Sequence, residues 1–193
     1  TWHARALIVG DTGSLEPIAL PPTLKKLVIF QEISLSEEPL DCNLPPTLAC
    51  VKILGWNLAH AISRLDSLPL LRRYVGDILT TSRTEFLQMI QPKLLHLQIR
   101  TKAKIAPDEF AVFPPQLKSL IIVSNGWDLD DDCVARLSVQ CSVLEELTVD
   151  ASSTTWHCVQ FLPRTLVHLD SSTKMDILSP ESMIDLPPKL RLL

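Results

Sequence analysis

Five histidines, five cysteines and a run of aspartates are the residues of this chain capable of chemistry, and their spacing decides against most of it. The histidines are His3, His60, His96, His157 and His168. None stands at i, i+4 from another on a helix, and His157-Cys158 has no second ligand pair nearby, so zinc is not expected. Asp128, Asp130, Asp131 and Asp132 crowd together as ligands of a cation would. They lack the glycine and the distal glutamate of a calcium loop, and read instead as the solvated start of a helix. A nucleophilic Cys–His pair needs a third group to orient the base, and nothing here nominates one. Cys133 and Cys141 read as small buried hydrophobes. Trp2, Trp56, Trp127 and Trp156 fall in or near the segments between elements, where packing is the simpler role than a ligand cage. Phosphate loops, nucleophile elbows and H-E-x-x-H motifs are all missing. The sequence therefore offers no catalytic, cofactor or metal residue, and the expectation is a protein that is not an enzyme.

Composition narrows the partners. A net charge of −4 argues against a general attraction to nucleic acid or to an anionic membrane. No apolar run approaches the 18 residues a membrane-spanning helix needs. The cysteines (Cys42, Cys50, Cys133, Cys141 and Cys158) are odd in number, form no C-x-x-C pair, and accompany no N-x-S/T sequon. That usage leans towards a reducing, intracellular setting, cytoplasmic or nuclear.

The elements that must position any site come from a recurring phrase. Leu20-Pro21-Pro22-Thr23-Leu24-Lys25-Lys26-Leu27-Val28-Ile29 returns as Leu44-Pro45-Pro46-Thr47-Leu48-Ala49-Cys50-Val51-Lys52-Ile53. Weaker copies begin at Leu68-Pro69, Gln91-Pro92, Phe113-Pro114-Pro115, Leu162-Pro163 and Leu186-Pro187-Pro188. Anchored on the leucine after the prolines (Leu24, Leu48, Leu71, Leu94, Leu117, Leu144, Leu166, Leu190), the steps are 24, 23, 23, 23, 27, 22 and 24 residues. Such a period, with an L-x-x-L-x-L core, marks stacked repeats. Apolar residues then alternate, as in Leu27 and Ile29, Leu97 and Ile99, Leu120 and Ile122, Leu147 and Val149, which predicts strands buried on one face. Strands recurring in one chain direction must pair parallel, with crossovers of about 15 residues. Helices are expected at 84–90, at 130–137 behind an acidic start, and at 179–184 behind Ser179-Pro180. The proline pairs stop each crossover and hold the chain extended.

These residues resemble the leucine-rich repeat family along the whole chain. The resemblance implies an α/β solenoid: a horseshoe with a parallel β-sheet on the concave face and short helices or turns on the convex face. Residues 1–193 read as one array of about eight repeats of ~23 residues. A start at Thr1 rather than Met, and an end partway through a phrase, read as an excerpt of a longer array. Residues 129–149 resemble the cysteine-containing subtype found in F-box proteins, with an acidic helix start, a cysteine before the strand and Leu144-Glu145-Glu146-Leu147. The other repeats carry proline where that subtype has cysteine.

The same phase names the outward positions. If Leu27 and Ile29 point in, then Lys26, Val28 and Phe30 face the concave side. Equivalent positions are Cys50, Lys52 and Leu54; Arg73, Val75 and Asp77; His96, Gln98 and Arg100. Then come Ser119, Ile121 and Val123; Glu146, Thr148 and Asp150; His168 and Asp170. Charge runs from basic through apolar to acidic along this strip, which suits a polarised protein or peptide ligand. The expected function is a non-catalytic protein-binding scaffold, in the form the resemblance implies a ubiquitin-ligase substrate receptor. The alternatives are a pathogen-effector or innate-immune repeat module, and the targeting domain of an enzyme whose catalytic part lies outside these residues. No oligomeric state follows from the sequence.

Overall fold

A computed structural model describes residues 6–9, 20–30, 44–54, 65–78, 92–101, 105–124, 130–149, 156–171 and 186–192. The strands expected from the alternation are present: β2 Lys26–Phe30, β3 Cys50–Leu54, β4 Arg73–Ile78, β5 His96–Thr101, β6 Ser119–Ser124, β7 Glu146–Val149, β8 His168–Ser171 and the short β9 Arg191–Leu192. A further strand, β1 Ala6–Val9, precedes them without a proline phrase in front of it, which is why the repeat pattern did not reveal it. All nine form one sheet in chain order, every pair parallel. From β2 to β8 the register follows the leucine anchor: Lys26, Cys50, Arg73, His96, Ser119, Glu146 and His168 stand side by side. The last pair, His168 with Arg191, is one residue out of that phase.

Each anchor leucine from Leu24 to Leu166 is buried to within 1% of completely. Burying a leucine contributes roughly 1.5–3 kcal/mol, so the column of anchors is a major part of what holds the repeats together. Together with Leu27, Ile29, Leu97, Ile99, Leu120, Ile122 and their equivalents they form one continuous core behind the sheet. One strand departs from the Leu-x-Ile rule. In β4 the two inward positions are Tyr74 and Gly76, and the tyrosine ring fills both places. A Cβ on Gly76 would lie 2.8 Å from Tyr74 Cζ, inside contact distance.

The crossovers behind the core differ in kind. Among the described residues, turns of 3-10 helix span Leu65–Ser67, Pro107–Val112 and Trp156–Phe161, and an α-helix, α1 Asp131–Gln140, fills the 27-residue step. The acidic start acts as expected: Asp130 caps α1, its Oδ1 accepting from Cys133 N at 2.8 Å. The helices expected at 84–90 and 179–184 lie outside the described residues.

Seven of the corners close the same way. The anchor N–H donates to the carbonyl three residues earlier, as in Leu24 to Pro21, Leu117 to Pro114 and Leu144 to Cys141, at 3.0–3.1 Å. Cys141 therefore occupies the place that Pro21, Pro45, Pro114, Pro163 and Pro187 hold elsewhere. The reason is the donor. Cys141 N–H closes the last turn of α1 by donating to Leu137 O at 2.7 Å, and proline has no N–H to give. Leu68, another corner without proline, likewise donates to Leu65 O. At Pro114 and Pro163 the closing donor sits one residue earlier, on Phe113 and Leu162, which leaves the corner free for proline.

Side chains join neighbouring corners. The Thr47 hydroxyl donates to Pro22 O or Leu24 O, and Thr165 to Ser142 O or Leu144 O. Gln140 Nε2 donates to Phe113 O at 2.6 Å. These contacts satisfy carbonyls that would otherwise face solvent at the corner, each for about 1 kcal/mol. The repeat phrase thus encodes burial and corner geometry together.

Candidate functional site

Because the register is known, the outward residues can be placed on a grid. Strands lie about 4.8 Å apart and alternate residues along a strand about 6.7 Å apart. The first row holds Lys26, Cys50, Arg73, His96, Ser119, Glu146 and His168; the second holds Val28, Lys52, Val75, Gln98, Ile121, Thr148 and Asp170. Phe30, Leu54, Asp77, Arg100 and Val123 make a third row. Asp150, expected to continue it, lies outside the described residues. The other expected outward residues whose side chains are described fall on this one face, across about 30 Å from β2 to β8.

Their exposure is uneven. Lys26, Arg73, His96, Arg100 and Glu146 are exposed, while Lys52, Gln98, Ile121, Thr148, His168 and Asp170 are half-buried. Phe30 and Val123 present apolar surface, at 43% and 37% exposure. Val28 and Val75 correct the expectation of a contact role. Each is 6% exposed, so they form the floor of the face and not its contact surface. Lys52 stands between them in the register, and its aliphatic stem is suited to cover both. Ser119 is also nearly buried, at 7%. On β8 the Nδ1 of His168 is shut off from solvent and, among the described residues, has no hydrogen-bond partner, whereas His96 is exposed.

The cysteines divide by environment. Burial pushes the Cys141 thiol up to about 12. Burial, with a smaller contribution from the Asp131 carboxylate, pushes Cys158 up to about 11. Both stay protonated near neutral pH and are poor nucleophiles. Cys133 is fully buried in α1. Cys50 differs: it is half-buried on the outward face, with Lys26 and Arg73 as its register neighbours. Among the described residues, no group of three or more His, Cys, Asp or Glu side chains could hold a metal ion.

A second surface feature was not visible in the sequence. Between the 3-10 turn Pro107–Val112 and α1 runs an open cleft of about 410 Å³, lined by Ala111, Asp132, Ala135, Arg136, Val139 and Gln140. Val139 is 84% exposed at its rim. Its two walls come from elements that the sequence separates by some twenty residues, so no local pattern announces it. It gathers no set of groups that would act on a substrate.

Neither protein-family models nor the curated proteins give a match to this chain. Among the described residues, no helix is long and apolar enough to cross a membrane.

Proposed function

We propose that this chain is a non-catalytic scaffold of the leucine-rich repeat kind, which binds a protein or peptide across the outward, concave face of its parallel sheet. One observation carries the reading. From β2 to β8, consecutive strands place Lys26, Lys52, Arg73 and Arg100 at one side, Ile121 and Val123 near the middle, and Glu146 and Asp170 at the other, with the cation Arg191 following on β9 beside His168. A linear gradient of this kind complements a polypeptide of opposite polarity laid across the strands, and electrostatic complementarity favours one orientation over its reverse. A polyanion would be attracted at one end and repelled at the other. The valine floor supports the reading, because charge-assisted hydrogen bonds above a poorly solvated surface are stronger than those in open water.

The narrower reading is a substrate receptor of a ubiquitin ligase. It rests on the resemblance of residues 129–149, and the helix-closing role of Cys141 accounts for that cysteine without it. Affinity capture with the full-length protein separates the levels. Partners lost on Arg73→Glu with Arg100→Glu, but kept with Arg136→Glu on α1, are the expected result. Cullin adaptors among the partners kept in both variants select the receptor role. Partner affinity unchanged by the Arg73 and Arg100 reversals removes the concave-face reading.

A further inference from the structure

Three cations on the outward face of β2–β4 stand closer together than their surroundings explain. Lys26 and Arg73 are the register partners of Cys50 on either side, so their Cα atoms lie about 10 Å apart. Lys52 is two residues beyond Cys50 on the same face, which puts it about 8 Å from each. All three positions lie within reach of one point above Cys50. Among the described residues, the ion pair Lys118–Glu145 lies elsewhere, and none of these three cations joins a salt bridge. Asp77 stands four residues beyond Arg73 along β4, beside Arg100 in the register. Three like charges over a valine floor repel one another and gain from any group that neutralises them together.

We propose that Lys26, Lys52 and Arg73 form a subsite for a phosphorylated side chain of the bound protein, a deepening that rests on the concave-face reading above. A phosphomonoester carries a charge of about −1.5 to −2 and three strong acceptor oxygens, matching three converging donors. A single carboxylate offers one charge and two oxygens, and leaves two of the three positive charges unneutralised. Arg73 can hold two phosphate oxygens in its planar fork, while the lysines act as point charges. Nucleic acid and an anionic membrane fit less well. Either would extend its charge along the strip and meet Glu146 and Asp170, whereas one phosphorylated residue does not. The half-buried thiol of Cys50 lies midway along the Lys26–Arg73 edge of the triangle and reports its occupancy.

The test uses the whole chain and three immobilised degenerate peptide libraries that differ only at a fixed central residue: phosphoserine, glutamate or serine. The expected result is retention on phosphoserine at least about tenfold above either of the others, the scale of a charge-assisted bidentate contact. Lys52→Gln with Arg73→Gln removes that preference while leaving the thermal midpoint in place, and Arg136→Gln on α1, off the sheet face, leaves the preference intact. In the unaltered chain, soluble phosphoserine peptides slow alkylation of Cys50, read by peptide mapping, and serine peptides do not. Equal retention of the three libraries, no retention of any, or a phosphate preference that survives the double substitution overturns the phosphate subsite. Glutamate peptides bound as well as phosphoserine, and lost in the double variant, also overturn it while supporting the concave-face reading. That parent reading is decided separately by the Arg73 and Arg100 reversals.

Discussion

Replacing Cys141 by proline would make this corner match the chain's own commonest sequence, and the structure predicts that the change is harmful. Three costs add. The N–H that donates to Leu137 O at 2.7 Å disappears, a net loss of about 1 kcal/mol. The Cys141 φ of −111° must move towards proline's −65° or so, and the ring crowds the Leu137 carbonyl one turn back. Proline within a helical turn costs about 3 kcal/mol in all. Cys141→Ala isolates the side chain. It removes a buried sulfur and its 3.5 Å contact with Pro114 O, for about 1 kcal/mol. Proline should therefore be worse than alanine by about 2 kcal/mol, or roughly 4–8 °C in melting midpoint for a chain of this size. Repeat arrays can unfold in sections, so peptide-resolved hydrogen exchange over 131–144 is the sharper assay. Protection should fall in α1 for the proline variant and largely persist for alanine. A proline variant as stable as the alanine variant, with α1 protection intact, would refute the donor argument.

Two further expectations follow from the core. Gly76→Ile supplies the consensus isoleucine but collides with the Tyr74 ring, and Tyr74→Leu alone leaves an unfilled space, each costing about 2–4 kcal/mol. The double variant should recover most of the loss in urea denaturation, and strictly additive costs would contradict the shared-space account. The buried thiols make stability depend on pH at the alkaline side. The folded state holds the Cys141 proton up to about 12, against 9.0 for an ordinary thiol, so the unfolded chain binds fewer protons between those values. Stability from this group is complete below about pH 9 and falls as pH rises through the window, by at most about 4 kcal/mol. Unfolding midpoints of the native chain and of Cys141→Ala from pH 8 to 11 test this, since only the native chain should show that part of the slope.

The sequence alone set the phase. Leu27 with Ile29, Leu120 with Ile122 and the anchors Leu24 to Leu166 were legible because alternation and a fixed return interval act on every repeat alike, so each copy reinforces the reading. The acidic start at Asp130 was legible for a local reason as well, since a cap contacts a backbone N–H only three residues away. Much of what the tertiary structure decided depends on neighbours that the sequence separates by some 23 residues. Val28 and Val75 face outward in pattern, yet they are covered on a sheet where Lys52 stands between them. The Cys50 thiol acquires its cationic setting only when Lys26 and Arg73 come alongside. Tyr74 and Gly76 share one volume because a ring can fill two inward places behind a packed sheet. Cys141 looked like a family signature in the sequence, and the fold gives it a plainer role, supplying an N–H where the helix needs one. Periodicity encodes what each strand does by itself, and lateral register encodes what the strands do to one another.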